Sequence, residues 1–171
     1  KEISGFYASD FTLAEIKQLR AVQANPARSK EYDGKYTVPT FQEILDLVRQ
    51  ESARRGRSIG IYPETKHPAF HLALGLPLED RLLEALQRNG LNEQRAPVFI
   101  QSFESANLQY LRPRTPLPLV QLLDDGFLSY DPTGRQVVGV DIPDYGDRRG
   151  GQRPASLADV AKYANAIGPW K

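Results

Sequence analysis

The chain contains no cysteine and no methionine, and its charges nearly cancel. Without Cys there is no disulfide framework, no thiolate nucleophile and no Cys-ligated zinc or iron–sulfur site. The absence leaves the compartment open, because secreted proteins without Cys are common. Lys and Arg number 22 against 21 Asp and Glu, so a net charge of +1 gives no basis for a nucleic-acid partner. No apolar run approaches the ~20 residues of a membrane span, and residues 1–20 have no signal-peptide core. Lacking Met, the chain is not expected to begin at a translational start. With 40% hydrophobic and 25% charged residues in 171, there is enough apolar material for one folded domain.

Helix signals recur along the chain. Thr12 and Glu15 form a capping box, in which each side chain reaches the other's amide. Leu13, Ile16, Leu19 and Ala24 then share one helical face until Pro26. Thr40 and Glu43 repeat the device ahead of Phe41, Ile44, Leu45 and Val48. Gly56 closes that helix, with Arg54 and Arg55 in its last turn. Residues 58–62 are apolar and β-branched, which predicts a strand broken at Pro63. A helix over 78–88, a strand over 98–101, a helix over 104–111 and a strand over 117–123 follow. Ser156 and Asp159 start a last helix over 156–166, and 166–171 reads as a helix end entering another strand.

Strands that are continuous apolar runs between helices predict a parallel sheet covered by helices, an α/β fold. Residues 124–155 differ. They are rich in Gly, Pro and Asp, and only 137–142 reads as a strand, so a functional loop or small insertion is expected. Three parallel strands cannot close a barrel, and bare edges would leave a poor isolated domain. The chain is therefore expected to be the middle of a larger α/β domain.

Candidate chemistry collects in Tyr62-Pro63-Glu64-Thr65-Lys66-His67-Pro68. Parallel α/β folds gather active residues at the C-terminal ends of strands. In extended chain, Glu64 and Lys66 point the same way, a hard oxygen ligand beside a cation suited to phosphate. A surface Glu–Lys pair is the plain alternative. His67 and His71 have the i, i+4 spacing of helical metal ligands, but Pro68 lies between them, favouring a loop. Gln101-Ser102-Phe103 ends the next strand, where Ser102 could cap the following helix. Gln121, polar inside an apolar strand, needs a partner or a cavity. Gln101 and Gln121 are candidate substrate contacts. The segment Arg112-Pro113-Arg114-Thr115-Pro116 reads as a connection, and the basic clusters 54–57 and 148–153 as solvated surface.

Five ordered blocks resemble the glycerophosphodiester phosphodiesterase family. They are Asp10-Phe11-Thr12-Leu13-Ala14-Glu15-Ile16-Lys17-Gln18-Leu19, Val38-Pro39-Thr40-Phe41-Gln42-Glu43-Ile44-Leu45, Ile61-Tyr62-Pro63-Glu64-Thr65-Lys66, Val98-Phe99-Ile100-Gln101-Ser102-Phe103 and Ala161-Lys162-Tyr163-Ala164-Asn165-Ala166-Ile167-Gly168-Pro169. The likeness covers the chain outside 124–155 and is nearest the bacterial periplasmic branch. It implies a TIM (β/α)8 barrel, with residues 1–171 a part of that domain. It also implies hydrolysis of small glycerophosphodiesters to glycerol 3-phosphate and an alcohol, in a periplasmic or secreted setting. The family binds one Ca²⁺ or Mg²⁺ through three carboxylates. Glu64 matches the third of these, Lys66 the lysine near the phosphate, and Phe103 a hydrophobic wall of the pocket.

The pattern is incomplete. The family's His-Arg-Gly and His-Asp blocks, which supply its acid–base histidines, do not occur, and the two earlier metal carboxylates are absent with them. Truncation of a longer enzyme, inactive in this form, is one expectation. A catalytically inactive barrel serving as a binding module is the other. A phospholipase D of the spider-toxin type shares the carboxylate-x-Lys pair, but typically has Asp at the position of Glu64 and carries disulfides.

Overall fold

The computed structural model describes residues 5–123, 128–130, 136–138 and 156–169. The chain divides into two compact units, Lys1–Leu47 and Val48–Lys171.

In the first unit the Thr12 capping box forms as expected. Glu15 N donates to Thr12 Oγ1 at 3.3 Å, and Thr12 N donates to Glu15 Oε2 at 2.8 Å. The helix it starts, α1 (Leu13–Ile16), is a single turn rather than the run to Ala24 that the periodicity predicts. Two reasons are visible. Leu13 and Leu19 remain 58% and 52% exposed, so the apolar stripe lacks the packing on which short helices depend. The chain beyond also has a competing partner: Arg20 bridges Thr37 antiparallel, and Ala21 N donates to Tyr36 O at 2.8 Å. Gly34, at φ +73°, makes the turn that returns the chain, its N–H bonded to Ala21 O.

The second capping box, Thr40 with Glu43, opens α2 (Phe41–Arg55). Gly56 ends it in the left-handed region at φ +60°. Glu43 also pairs with Lys17. That pair, together with the Thr40 amide, draws the Glu43 carboxyl down to about 2 from 4.5.

The second unit carries a parallel sheet. Strands β1 (Ile100–Ser102), β2 (Leu119–Leu123) and β5 (Ala166–Pro169) lie in that order, every pair parallel. On the outer edge of β1 the chain at 61–64 runs parallel too, bridging Ile61 to Val98 and Glu64 to Gln101. The expected strand over 58–62 is thus present only as bridges. Between these segments lie α3 (Pro68–Ala73), α4 (Glu79–Arg88), α5 (Ser105–Leu111) and α6 (Leu157–Val160). Helix α6 is shorter than predicted, giving way to a turn over 161–163. Within 124–155, β3 (Leu128–Tyr130) and β4 (Gln136–Val138) pair antiparallel, while the remainder of that segment, with residues 139–142 of the expected strand and the basic cluster 148–153, lies outside the described residues.

Side-chain alternation separates the two faces of the sheet. Ile100, Ser102, Leu119, Gln121 and Leu123 are at most 2% exposed, on the side where α5 packs across β1 and β2. Leu108 and Leu111 of α5 are fully buried there, each contributing roughly 1.5–3 kcal/mol relative to exposure. The other face is open among the described residues. Tyr62 and Phe99 meet edge to face at 6.3 Å, yet stay 47% and 49% exposed. Gly60, Tyr62, Pro97, Phe99, Val120 and Ala166 border a cavity of about 430 Å³ on it. Gly168 belongs to this face: a Cβ there would sit 2.8 Å from Leu122 Cδ2 and 3.7 Å from Tyr62 Oη, so a side chain would require Leu122 to shift.

The Lys17–Glu43 contact sets a pH dependence. A carboxyl lowered in the folded state contributes stability that is present above its unfolded value and withdrawn as pH falls toward the folded one. Glu43 should therefore titrate near 2 by NMR, and Lys17→Met should bring it back toward 4.5. An unchanged midpoint in the variant would show that the ammonium is not the cause.

Candidate functional site

The bridge between Glu64 and Gln101 builds the site. Gln101 N donates to Pro63 O at 2.9 Å, and Thr65 N donates to Gln101 O at 3.1 Å, so the main chain of Gln101 holds the residues on both sides of Glu64. The Gln101 side chain adds a bond from Nε2 to Tyr62 O at 2.9 Å. Pinned in extended form, residues 63 to 65 must alternate, and Lys66 follows them. Thr65 turns to the helix side and is 5% exposed, its hydroxyl 2.8 Å from Asn107 Oδ1. Glu64 and Lys66 point the other way, at the C-terminal ends of the strands. Lys66 Nζ lies 3.6 Å from Glu64 Oε1, with the side chains 68% and 28% exposed respectively.

The other candidates distribute unevenly. Phe103, partly buried, follows β1 two residues beyond Gln101 and offers its carbonyl to Gln121 Nε2 at 2.7 Å. Gln121 lies apart, on the helix side with Ser102, its partner in register. Its Nε2 also bonds Ser102 O at 3.3 Å and Leu122 O at 3.0 Å, and its Oε1 accepts from Tyr163 Oη at 2.8 Å. Burial, then the nearby Asp159 charge, pushes the Tyr163 phenol well above its usual range, so it stays a donor. Gln121 is thus a satisfied core residue, and this corrects its reading as a substrate contact: its polar atoms already have partners. Ser102 Oγ accepts from Glu104 N at 3.2 Å, close to the expected capping role, although Glu104 itself is the residue at the N-cap of α5.

His71 falls on a helix, against expectation, while His67 stands just before it. Pro68 occupies the first position of α3, where its missing N–H breaks no bond. His67 caps it in the left-handed region at φ +50°, and Ala69 N donates to Glu104 Oε2 at 2.9 Å. Among the described residues no group of three His, Cys, Asp or Glu could hold a metal ion. Glu64, a single carboxylate beside an ammonium, does not fit a divalent cation by itself. Sequence reasoning also passed over Thr65, Asn107 and Glu79. The available signal was Asn107, a polar residue within the apolar stripe of α5.

Strand-end charged residues on a parallel α/β sheet define a class in which chemistry sits at the carboxyl edge. Comparison narrows that class. Residues 3–149 match the model of the glycerophosphoryl diester phosphodiesterase family, and the chain belongs to that family. It is 33% identical to glycerophosphodiester phosphodiesterase GDPD6 of Arabidopsis thaliana over 99% of this chain and 45% of that protein. It is 26% identical to a glycerophosphodiester phosphodiesterase of Haemophilus influenzae, over 96% of this chain and 49% of the other. One from Treponema pallidum is likewise 26% identical, over 97% and 51%. The chain spans about half the length of the curated relatives it matches.

If Gln121 is a core residue, Gln121→Leu should lower unfolding free energy by roughly 1–3 kcal/mol, as buried carbonyls and the Tyr163 hydroxyl lose partners. In a longer protein, KM per folded molecule should not move. A raised KM with unchanged stability would restore the substrate role.

Proposed function

We propose that this chain is part of an enzyme hydrolysing small glycerophosphodiesters, such as glycerophosphocholine, to glycerol 3-phosphate and an alcohol. The observation that carries the reading is the Glu64–Lys66 pair, turned together to the open face at the strand ends. Family membership and the names of the relatives support it. The open face of the sheet, with helices on the other side, suits one wall of a TIM barrel, and we assign the chain to part of such a barrel. No helix among the described residues is long and apolar enough to cross a membrane. A periplasmic or secreted setting remains our reading of the subfamily likeness.

A phosphodiester carries one negative charge, and displacement builds more on its equatorial oxygens. Lys66, largely exposed, provides positive charge where such oxygens would lie. Phe103 would border the alcohol side. Glu64 is assigned as one oxygen ligand of a Ca²⁺ or Mg²⁺ ion, whose other ligands lie outside the described residues. The family's His-Arg-Gly and His-Asp blocks do not occur in the sequence, so the 171 residues alone should show no hydrolysis above background.

The test uses a longer protein carrying the family's remaining blocks. Glu64→Gln keeps shape but removes charge, so metal affinity by calorimetry should fall sharply while the fold persists. Lys66→Met should leave metal affinity nearly intact and slow turnover by roughly 10²-fold or more. The reverse pattern, with Lys66→Met losing metal or Glu64→Gln fully active at low metal, would overturn the assignment.

A further inference from the structure

Thr65 stands between the two charged residues, and its burial is a condition of their orientation. With three polar residues behind it, it forms a continuous bonded set. Thr65, Asn107, Glu79 and Ser102 are 5%, 2%, 1% and 0% exposed. Asn107 Nδ2 donates to Glu79 Oε1 at 2.7 Å, and Thr65 Oγ1 lies 2.8 Å from Asn107 Oδ1. Ser102 Oγ donates to Thr65 O at 3.2 Å. The direction of the relay follows from its end. A carboxylate accepts, so Asn107 must present its amide N–H to Glu79 and its carbonyl to Thr65, which must then donate. Side chain and carbonyl of Thr65 are thus both held from the helix side, while its N–H is held by Gln101.

We propose that Thr65 and Asn107, backed by Glu79 at the start of α4, are positioning residues for the Glu64–Lys66 pair. The inference rests on the function proposed above and adds to it the device that aims the site. Main-chain bridging fixes Glu64 from one edge only, and a strand edge without a longer ladder is free to twist or slip. A slip of one residue would send Glu64 and Lys66 under the helices and bring Thr65 to the open face. A hydroxyl bonded to a buried amide resists that slip, because leaving its place strands Asn107 Oδ1 without a donor in a water-free site. Thr65 therefore acts on the chemistry through its neighbours and touches neither phosphate nor cation.

The experiment uses the longer enzyme with glycerophosphocholine and Ca²⁺, comparing Thr65→Val, Thr65→Ser and Glu64→Gln. Valine keeps the shape of threonine and removes the donor. Thr65→Val should fold, with a lower melting temperature, and lose roughly 10- to 100-fold in kcat per folded molecule at nearly constant KM, the cost of misplaced groups. Thr65→Ser, which keeps the hydroxyl, should recover most of that loss. Unchanged kcat in folded Thr65→Val would make the relay merely structural and overturn the proposal. Should Thr65→Val not fold, Asn107→Leu carries the same test in the middle of the relay, removing the acceptor for Thr65 Oγ1: a lower kcat at constant KM supports it, and wild-type kcat overturns it. Glu64→Gln separates the two levels. If it is inactive while Thr65→Val is not, only the positioning role fails; if it keeps full turnover, the functional reading fails and takes this one with it.

Discussion

Two main-chain hydrogen bonds to Gln101, one from Thr65 N and one to Pro63 O, decide which way every side chain at this strand end points. They hold residues 63 to 65 extended beside β1, and extended backbone alternates. Once Thr65 is buried among Asn107 and Ser102, Glu64 and Lys66 have only the opposite face available. The site is thus a by-product of register. Neither carboxylate nor ammonium is itself bound by the groups that hold the backbone, so the aiming is done through Thr65.

The two faces of the sheet handle polarity differently. On the helix side, polar groups are buried and closed on one another: Gln121 spends its amide on three carbonyls and takes the Tyr163 hydroxyl. Such closure follows from low dielectric, where an unpaired group costs most. On the other side, Glu64 and Lys66 meet solvent at the strand ends, and Tyr62 and Phe99 border an apolar cavity. Gly168 adds no side chain against Leu122 on that face. Charged groups together with an apolar cavity are the division expected of a small-ligand site.

Much of this was legible in the residues. Helices α4 and α5 and strand β2 lie within a few residues of where periodicity and punctuation place them, because their apolar faces are buried. Both Thr-Glu capping boxes form for local reasons alone. Helix α1 shows the limit, since a cap starts a helix but packing must prolong it, and Leu13 and Leu19 have little. Helix α3 was hidden by Pro68, which reads as a breaker unless it stands first. The Glu64–Lys66 spacing was visible, whereas the relay through Asn107 and Glu79 joins three elements distant in sequence and has no local pattern. Gln121 failed as a substrate contact for the same reason: its partners come from β1 and from beyond α6.

The pair itself shows why this site needs more than these residues. At 3.6 Å, with Lys66 largely in solvent, a Glu–Lys contact of this kind is worth about 0–1 kcal/mol. It therefore opens readily, so it does not lock either group away from a ligand. Together the two charges cancel, and the pair attracts neither a cation nor an anion strongly from a distance. Added positive charge at Glu64 would draw its carboxylate away from Lys66 and free the ammonium for a phosphate oxygen. A single carboxylate holds such charge too weakly to do this alone, since hard divalent cations take several oxygen ligands. On the function proposed above, the Glu64–Lys66 pair would therefore act on a phosphodiester only with further oxygen donors beside Glu64 to hold that charge.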